Sequence, residues 1–168
     1  MENGDSFFEQ FTDITSFDGN LGQLKQAKYM FYGCSSLTSF NTDNIENLTD
    51  GSRMFAVCSN LRNVNANFTN LTNAYGMFQY CSNLNINGCT FPKIENINSM
   101  FYYGGKGEIT CDFKHIVDGT RMFYQSKFNS IACDFTSLEN GTEMFYYTAN
   151  LTLFKSELPA LTDGESMF

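Results

Sequence analysis

The stretch Met30-Phe31-Tyr32-Gly33-Cys34-Ser35-Ser36-Leu37 returns as Met54-Phe55-Ala56-Val57-Cys58-Ser59-Asn60-Leu61, and again as Met77-Phe78-Gln79-Tyr80-Cys81-Ser82-Asn83-Leu84. The Met-Phe pair continues at 100, 122, 144 and 167, giving steps of 24, 23, 23, 22, 22 and 23 residues. Apart from Met1, every methionine of the chain belongs to such a pair. A fixed period of this length is the signature of a repeat array, because each unit is too small to bury its apolar face alone and buries it against its neighbours.

Working outward, the apolar slots after Met30-Phe31 are Cys34, Leu37, Phe40, Ile45 and Leu48. The next units read Cys58, Leu61, Val64, Phe68, Leu71 and then Cys81, Leu84, Ile86, Phe91, Ile94. The last slot precedes the next methionine by six residues throughout, as in Leu48 to Met54, Ile94 to Met100 and Leu161 to Met167. Length variation is therefore confined to the middle of the unit. One period before Met30 lies Phe7-Phe8, followed by Phe11, Ile14, Phe17, Leu21 and Leu24 in the same register, so a divergent first unit begins at about residue 7. The spacing predicts one domain over 1–168, with seven units and an eighth interrupted at Met167-Phe168.

A period of about 23 residues falls in the leucine-rich-repeat range. The expected fold is an α/β repeat solenoid, a right-handed stack with short parallel strands on one face and turns or short helical segments on the other. Stretches such as Leu37 to Phe40 and Leu61 to Val64 suit the strands. The segment from Asp50 to Cys58 suits an irregular or short helical arm. Strands stacked at about 4.8 Å make seven units a rod roughly 35 Å long. The expected core ladder is Met30, Phe31, Met54, Phe55, Met77, Phe78, Met100, Phe101, Met122, Phe123, Met144 and Phe145. Burial of each ring contributes about 1.5–3 kcal/mol as an upper value.

The motif Met-Phe-x-x-Cys-Ser-x-Leu, as it stands at 30–37, 54–61 and 77–84, resembles the BspA-like leucine-rich repeats of bacterial surface proteins. The resemblance runs from about Phe7 to Phe168. Later units depart from it, with Gly104, Ser126 and Thr148 in the cysteine place and a glycine-rich Gly104-Gly105-Lys106-Gly107 in a shortened unit. The resemblance implies an adhesive or binding role at a cell surface and leaves the ligand unspecified.

Composition bounds the function. The 168 residues are 42% hydrophobic and 17% charged, with 18 phenylalanines, 9 tyrosines and only two prolines, enough apolar mass for a continuous core. Acids outnumber bases 18 to 10, and the net charge of −8 repels phosphate backbones and anionic lipid. Nucleic acid and direct membrane insertion are therefore set aside as partners. Residues Met1 to Gln10 are acidic and carry no apolar run of signal-peptide character, so this segment encodes no export signal.

The candidate chemistry is sparse. The six cysteines fall in two phases of the repeat, Cys34, Cys58 and Cys81 after Met-Phe, and Cys89, Cys111 and Cys133 two residues before an aromatic. Columns of small buried thiols account for both phases; disulfides are the weaker reading, and no Cys-x-x-Cys or Cys/His spacing suits zinc. The single histidine, His115, lies four residues after Cys111, but a core-slot cysteine and a turn histidine do not make a nucleophile and base. With no phosphate loop and no Ser/His/Asp constellation, no catalytic, cofactor or metal residues are assigned, and the expectation is a non-enzyme. An outward column of Asp43, Asn67, Thr90, Asp112, Asp134 and Glu157 reads as a solvated face, since calcium requires more oxygen ligands gathered in one loop. Abundant asparagines read as turn formers, and Asn-x-Thr triplets follow from the repeat composition.

The candidate binding face is the set of outward strand positions Thr38, Asn41, Arg62, Asn65 and Lys155. Nearby Tyr32, Tyr80, Tyr102, Tyr103, Tyr124, Tyr146 and Tyr147 would either join that surface or pack between units. The expected function is recognition of a protein or glycan at the cell surface or outside the cell. The alternative is a structural or receptor-binding component of a phage tail or other large assembly, located in the virion. In either case the open apolar end at Met167-Phe168 is expected to be covered by further repeats or a partner chain.

Overall fold

Parallel strands of two to four residues carry one side of the chain. The computed structural model describes residues 1–86 and 89–168. Strands β1 (Ser16–Asp18), β2 (Ser39–Asn41) and β3 (Asn63–Asn65) form one parallel sheet in that order, with Phe17, Phe40 and Val64 in register. A second parallel sheet follows from β4 (Gly107–Ile109), β5 (Phe128–Ile131) and β6 (Leu153–Phe154). The chain is β-rich and, among the described residues, contains no helix.

The strands sit about two residues later than Leu37 and Leu61 suggest. The Leu37 N–H is spent on the Cys34 carbonyl (3.0 Å) and the Leu61 N–H on that of Cys58 (3.0 Å), so these leucines close a turn and the ladder begins after them. Of the two expected forms of the other arm, turns or short helical segments, the chain takes turns. Around each Met-Phe pair stand successive tight turns: Met54 N–H donates to Gly51, Ala56 to Arg53 and Cys58 to Phe55, at 3.0–3.1 Å. The intervening donors leave the unit. Gly51, Arg53, Phe55 and Val57 donate to the carbonyls of Asn73, Tyr75, Met77 and Gln79 at 2.8–3.0 Å. A helix would spend every N–H within the segment; here alternate donors bind the neighbouring unit.

That alternation requires left-handed backbone at two places per unit, just before the methionine and three residues after it. Tyr29, Arg53, Ser99, Arg121 and Glu143 occupy the first with φ of 51–58°, and Val57, Tyr80, Tyr103, Gln125 and Tyr147 the second with φ of 50–65°. Non-glycine residues tolerate this region at a cost of roughly 1–2 kcal/mol each. The inter-unit hydrogen bonds and the core offset it.

The core is built of columns. Phe8, Phe31, Phe55, Phe78, Phe101, Phe123, Phe145 and Phe168 stack ring on ring, with centroids 5.0–5.7 Å apart and planes within 20°. A second stack runs through Phe68, Phe91, Phe113 and Phe135 at 5.4–6.0 Å. All seven methionines of the Met-Phe pairs are buried, as are Phe31, Phe55, Phe78, Phe101, Phe123 and Phe145. Just after the glycine-rich unit, the Phe128 ring lies edge-on to Phe101 (5.5 Å) and Phe123 (5.8 Å). Gly105, at φ 77°, makes room for it: a Cβ there would overlap the ring.

Candidate binding surfaces

Four of the candidate face residues lie in, or directly before, strands of the first sheet. The Thr38 N–H and hydroxyl both donate to the Thr15 carbonyl (2.8 and 2.9 Å), and the Arg62 N–H donates to the Thr38 carbonyl at 2.9 Å, placing Thr38 and Arg62 in one column. Asn41 and Asn65 are register partners across β2 and β3. Thr38, Arg62 and Asn65 are exposed, while Asn41 is half-buried. Lys155 stands elsewhere: exposed, just after β6, with its N–H on the Ile131 carbonyl of the second sheet (2.9 Å).

The carboxylate column is only partly assembled. Asp112 and Asp134 are bridged as parallel neighbours, and Asp112 meets the Lys114 ammonium at 3.2 Å. Burial alone would push the Asp112 carboxyl up, but hydrogen bonds and charge from Lys114 outweigh it and hold the group below its ordinary range. No group of three or more His, Cys, Asp or Glu side chains among the described residues is arranged to hold a metal ion.

Both cysteine columns are buried and free. Cys34, Cys58 and Cys81 direct their sulfurs at the carbonyls of Phe8, Phe31 and Phe55 in the preceding units, at 2.9–3.0 Å. At Gly104 the same place has no room, since a Cβ would stand 2.6 Å from the Phe78 carbonyl oxygen. Burial pushes the Cys58 and Cys81 thiols well above their ordinary range, and Cys89 up to about 11. Cys111 is raised by its neighbour Cys133 and by burial, whereas His115 is exposed.

Two features were read only in outline from the sequence, which took asparagines as turn formers and left the tyrosines between surface and packing roles. The first is a ladder of side-chain-capped turns four residues before each methionine from Met54 onward. Oδ1 of Asp50, Asn73, Asn96, Asp118, Asn140 and Asp163 accepts the N–H two residues on, at 2.9–3.2 Å. At Asp50, Asp118 and Asn140 it also accepts the following Ser or Thr hydroxyl at 2.6–2.7 Å. The signal was present as Asp or Asn in fixed phase, followed two residues on by Ser or Thr in three of the six. Other asparagines reach between units: Asn60 and Asn83 donate to the carbonyls of Ser35 and Ser59 (2.8 Å), and Asn70 to Glu46 (2.7 Å).

The second is the disposition of the tyrosines. Tyr102, Tyr124 and Tyr146 follow one another across three units with centroids 4.8 and 5.4 Å apart. Beside them Tyr80 stacks on Tyr103 at 5.2 Å, and Tyr146 meets Tyr147 edge to face at 4.3 Å. Tyr32 stands apart, edge-on to Tyr29 at 5.7 Å. Packing between units and exposure are thus properties of the same rings: Tyr80 and Tyr147 are exposed, and the others half-buried.

The family described as "Mycoplasma protein of unknown function, DUF285" matches residues 1–68, and that family is associated with BspA-like repeat surface proteins. No curated protein and no solved structure matches the chain.

Proposed function

We propose that the chain is a leucine-rich-repeat-like solenoid that serves as a non-enzymatic recognition or adhesion module of a bacterial surface protein, binding a protein or glycan along a repeat face. The observation that carries this reading is the division of labour within each unit. Methionine, phenylalanine and cysteine slots are consumed by the core, while Asn41 and Asn65, and Tyr102, Tyr124 and Tyr146, recur from unit to unit outside it. Such columns suit extended, multivalent contact better than a single enclosed site. The partial match to a family associated with surface repeat proteins supports the same direction.

The test is a binding screen of the purified chain against extracellular matrix proteins and immobilised glycans, repeated with an Arg62→Ala/Asn65→Ala variant of the first sheet. The expected result is at least one saturable ligand. A loss of about tenfold in the variant would place it on the strand face, corresponding to about 1.4 kcal/mol. Absence of any ligand, or substrate turnover abolished by Cys111→Ala, would overturn the reading. Protease treatment of intact source cells tests the location, with loss of the protein expected from the cell surface.

A further inference from the structure

Arg53 shows how the chain holds a cation with its own tyrosines. Its guanidinium carbon lies 5.8 Å from the centre of the Tyr29 ring and 5.1 Å from that of Tyr75, and Nη1 donates to the Tyr29 hydroxyl at 2.9 Å. An aromatic face is the negative end of the ring quadrupole, so a guanidinium is drawn to it while its N–H groups remain free to donate. From Met77 onward the tyrosines multiply and the stacked cation is missing: among the described residues Arg53 alone lies over a ring. Arg121, which stands beside Tyr102 and Tyr124, is already engaged. Its Nε and Nη2 donate to the two carboxylate oxygens of Glu143 at 2.7 and 3.2 Å.

We propose that the strip formed by Tyr80, Tyr102, Tyr103, Tyr124, Tyr146 and Tyr147 is a docking surface for an arginine-bearing, net-basic segment of a partner protein. The guanidinium groups stack on the outer rings and donate to the phenol oxygens of the inner ones, repeating between molecules what Arg53 does within this one. The inference rests on the recognition reading above and names its site and class of partner.

Charge selects this occupant. The chain carries −8, so basic partners are drawn to it over long range and acidic ones repelled. Next to the strip, Arg121 is paired with Glu143 at 2.7 Å, so its positive charge is offset where an incoming arginine would dock. Ring geometry selects it as well. Tyr147 is 66% and Tyr80 44% exposed, whereas Tyr102 and Tyr124 cover each other's faces at 4.8 Å. A flat sugar ring would find those inner faces taken, while arginine serves both kinds of position. Tyrosine also brings large, rigid contact area at low entropic cost, which suits a protein interface.

The experiment is a calorimetric titration of the full chain with an arginine-rich peptide and with a lysine peptide of equal length and charge, at low and high salt. The comparison is with Tyr80→Leu/Tyr103→Leu/Tyr147→Leu, which leaves the net charge unchanged. The intact chain is expected to prefer the arginine peptide, and the triple variant to lose about tenfold in affinity or more. Should that variant fold poorly by circular dichroism, Tyr147→Leu and Tyr147→Phe replace it. Leucine is then expected to weaken binding about threefold and phenylalanine to leave it nearly unchanged. Equal binding by variant and parent, or equal affinity for the two peptides, would assign the attraction to net charge and overturn the proposal. If the strip variants bind normally while Arg62→Ala/Asn65→Ala loses a screened ligand, the strip fails and the recognition reading stands. If no ligand of any kind binds, both fail.

Discussion

The rings of Phe55 and Phe78 lie 5.5 Å apart with planes 1° from parallel, the most nearly parallel pair in a stack that passes through every unit. Each ring is a floor for one unit and a ceiling for the next, so removing one disturbs two interfaces. Phe78→Ala is expected to destabilise the chain by about 3–5 kcal/mol, whereas Phe78→Leu, which refills much of the volume, costs less. Urea unfolding followed by circular dichroism measures both. A loss under about 1 kcal/mol for alanine would mean that the stack does not bear on stability.

The thiols supply a chemical check on burial. Cys58 and Cys81 are raised far above the ordinary thiol range by desolvation, so neither is ionised near neutral pH. With a thiol-reactive chromogen, the native chain is expected to react slowly and, after denaturation, to release the signal of all six cysteines. Fast stoichiometric reaction of Cys81 in the native state would contradict the buried column.

Acid should weaken the turn ladder at two of its members. Burial tends to raise the Asp118 carboxyl, but the hydroxyl and N–H of Thr120 and the amide of Asn98 outweigh it and hold it below the ordinary value; Asp50 is held down likewise by Ser52 and Lys28. A carboxylate with a depressed folded-state pKa contributes stability that is fully present above its unfolded value, near pH 4, and is lost as pH falls through the folded one. Asp118→Asn, the residue type found at 73, 96 and 140, is expected to be nearly neutral at pH 7 and to flatten the acid limb of the stability profile. Asp118→Ala is expected to cost about 1 kcal/mol at neutral pH through the lost cap. Thermal melts from pH 2 to 7 distinguish them.

Val57 is the β-branched residue among those at positive φ, standing at 65° and exposed. Gly33 occupies the equivalent place one unit earlier. Val57→Gly removes a steric penalty of about 1–2 kcal/mol and gives back about 0.5–1 kcal/mol in unfolded-chain entropy. A net gain of about 0.5–1 kcal/mol is expected, read as a rise in Tm; a fall would show that the valine side chain makes a contact worth more than its strain.

What was legible in the sequence was whatever recurs as a residue type. Met54 and Phe55 have the same environment as Met77 and Phe78, so period and side chain together expose the core, and the free cysteine columns follow in the same way. Backbone conformation recurs without a residue type. Tyr29, Arg53, Ser99 and Arg121 share one left-handed conformation but no common chemistry, and at the two left-handed places of the unit the usual glycine marker stands at Gly33 and Gly76. Whether the arm is irregular or a short helix accordingly stayed open in the sequence, and turns stand there. The tyrosine strip was undecidable for a related reason: Tyr102 and Tyr124 pack on each other and face outward at once, and spacing alone cannot divide a ring between those two roles.

The alternation of hydrogen-bond donors around Met54 has a mechanical corollary. Bonds such as Phe55 to Met77 point from unit to unit along the stack, so tension applied along that axis loads the inter-unit contacts in series and peels them open one layer at a time. Each detached layer of about 23 residues pays out roughly 75–80 Å of extended chain, set by the reach of the backbone. Tethered at both ends, such a stack lengthens in steps and dissipates work at every step, yielding gradually under drag where a molecule held together by shear across long strands would resist and then break.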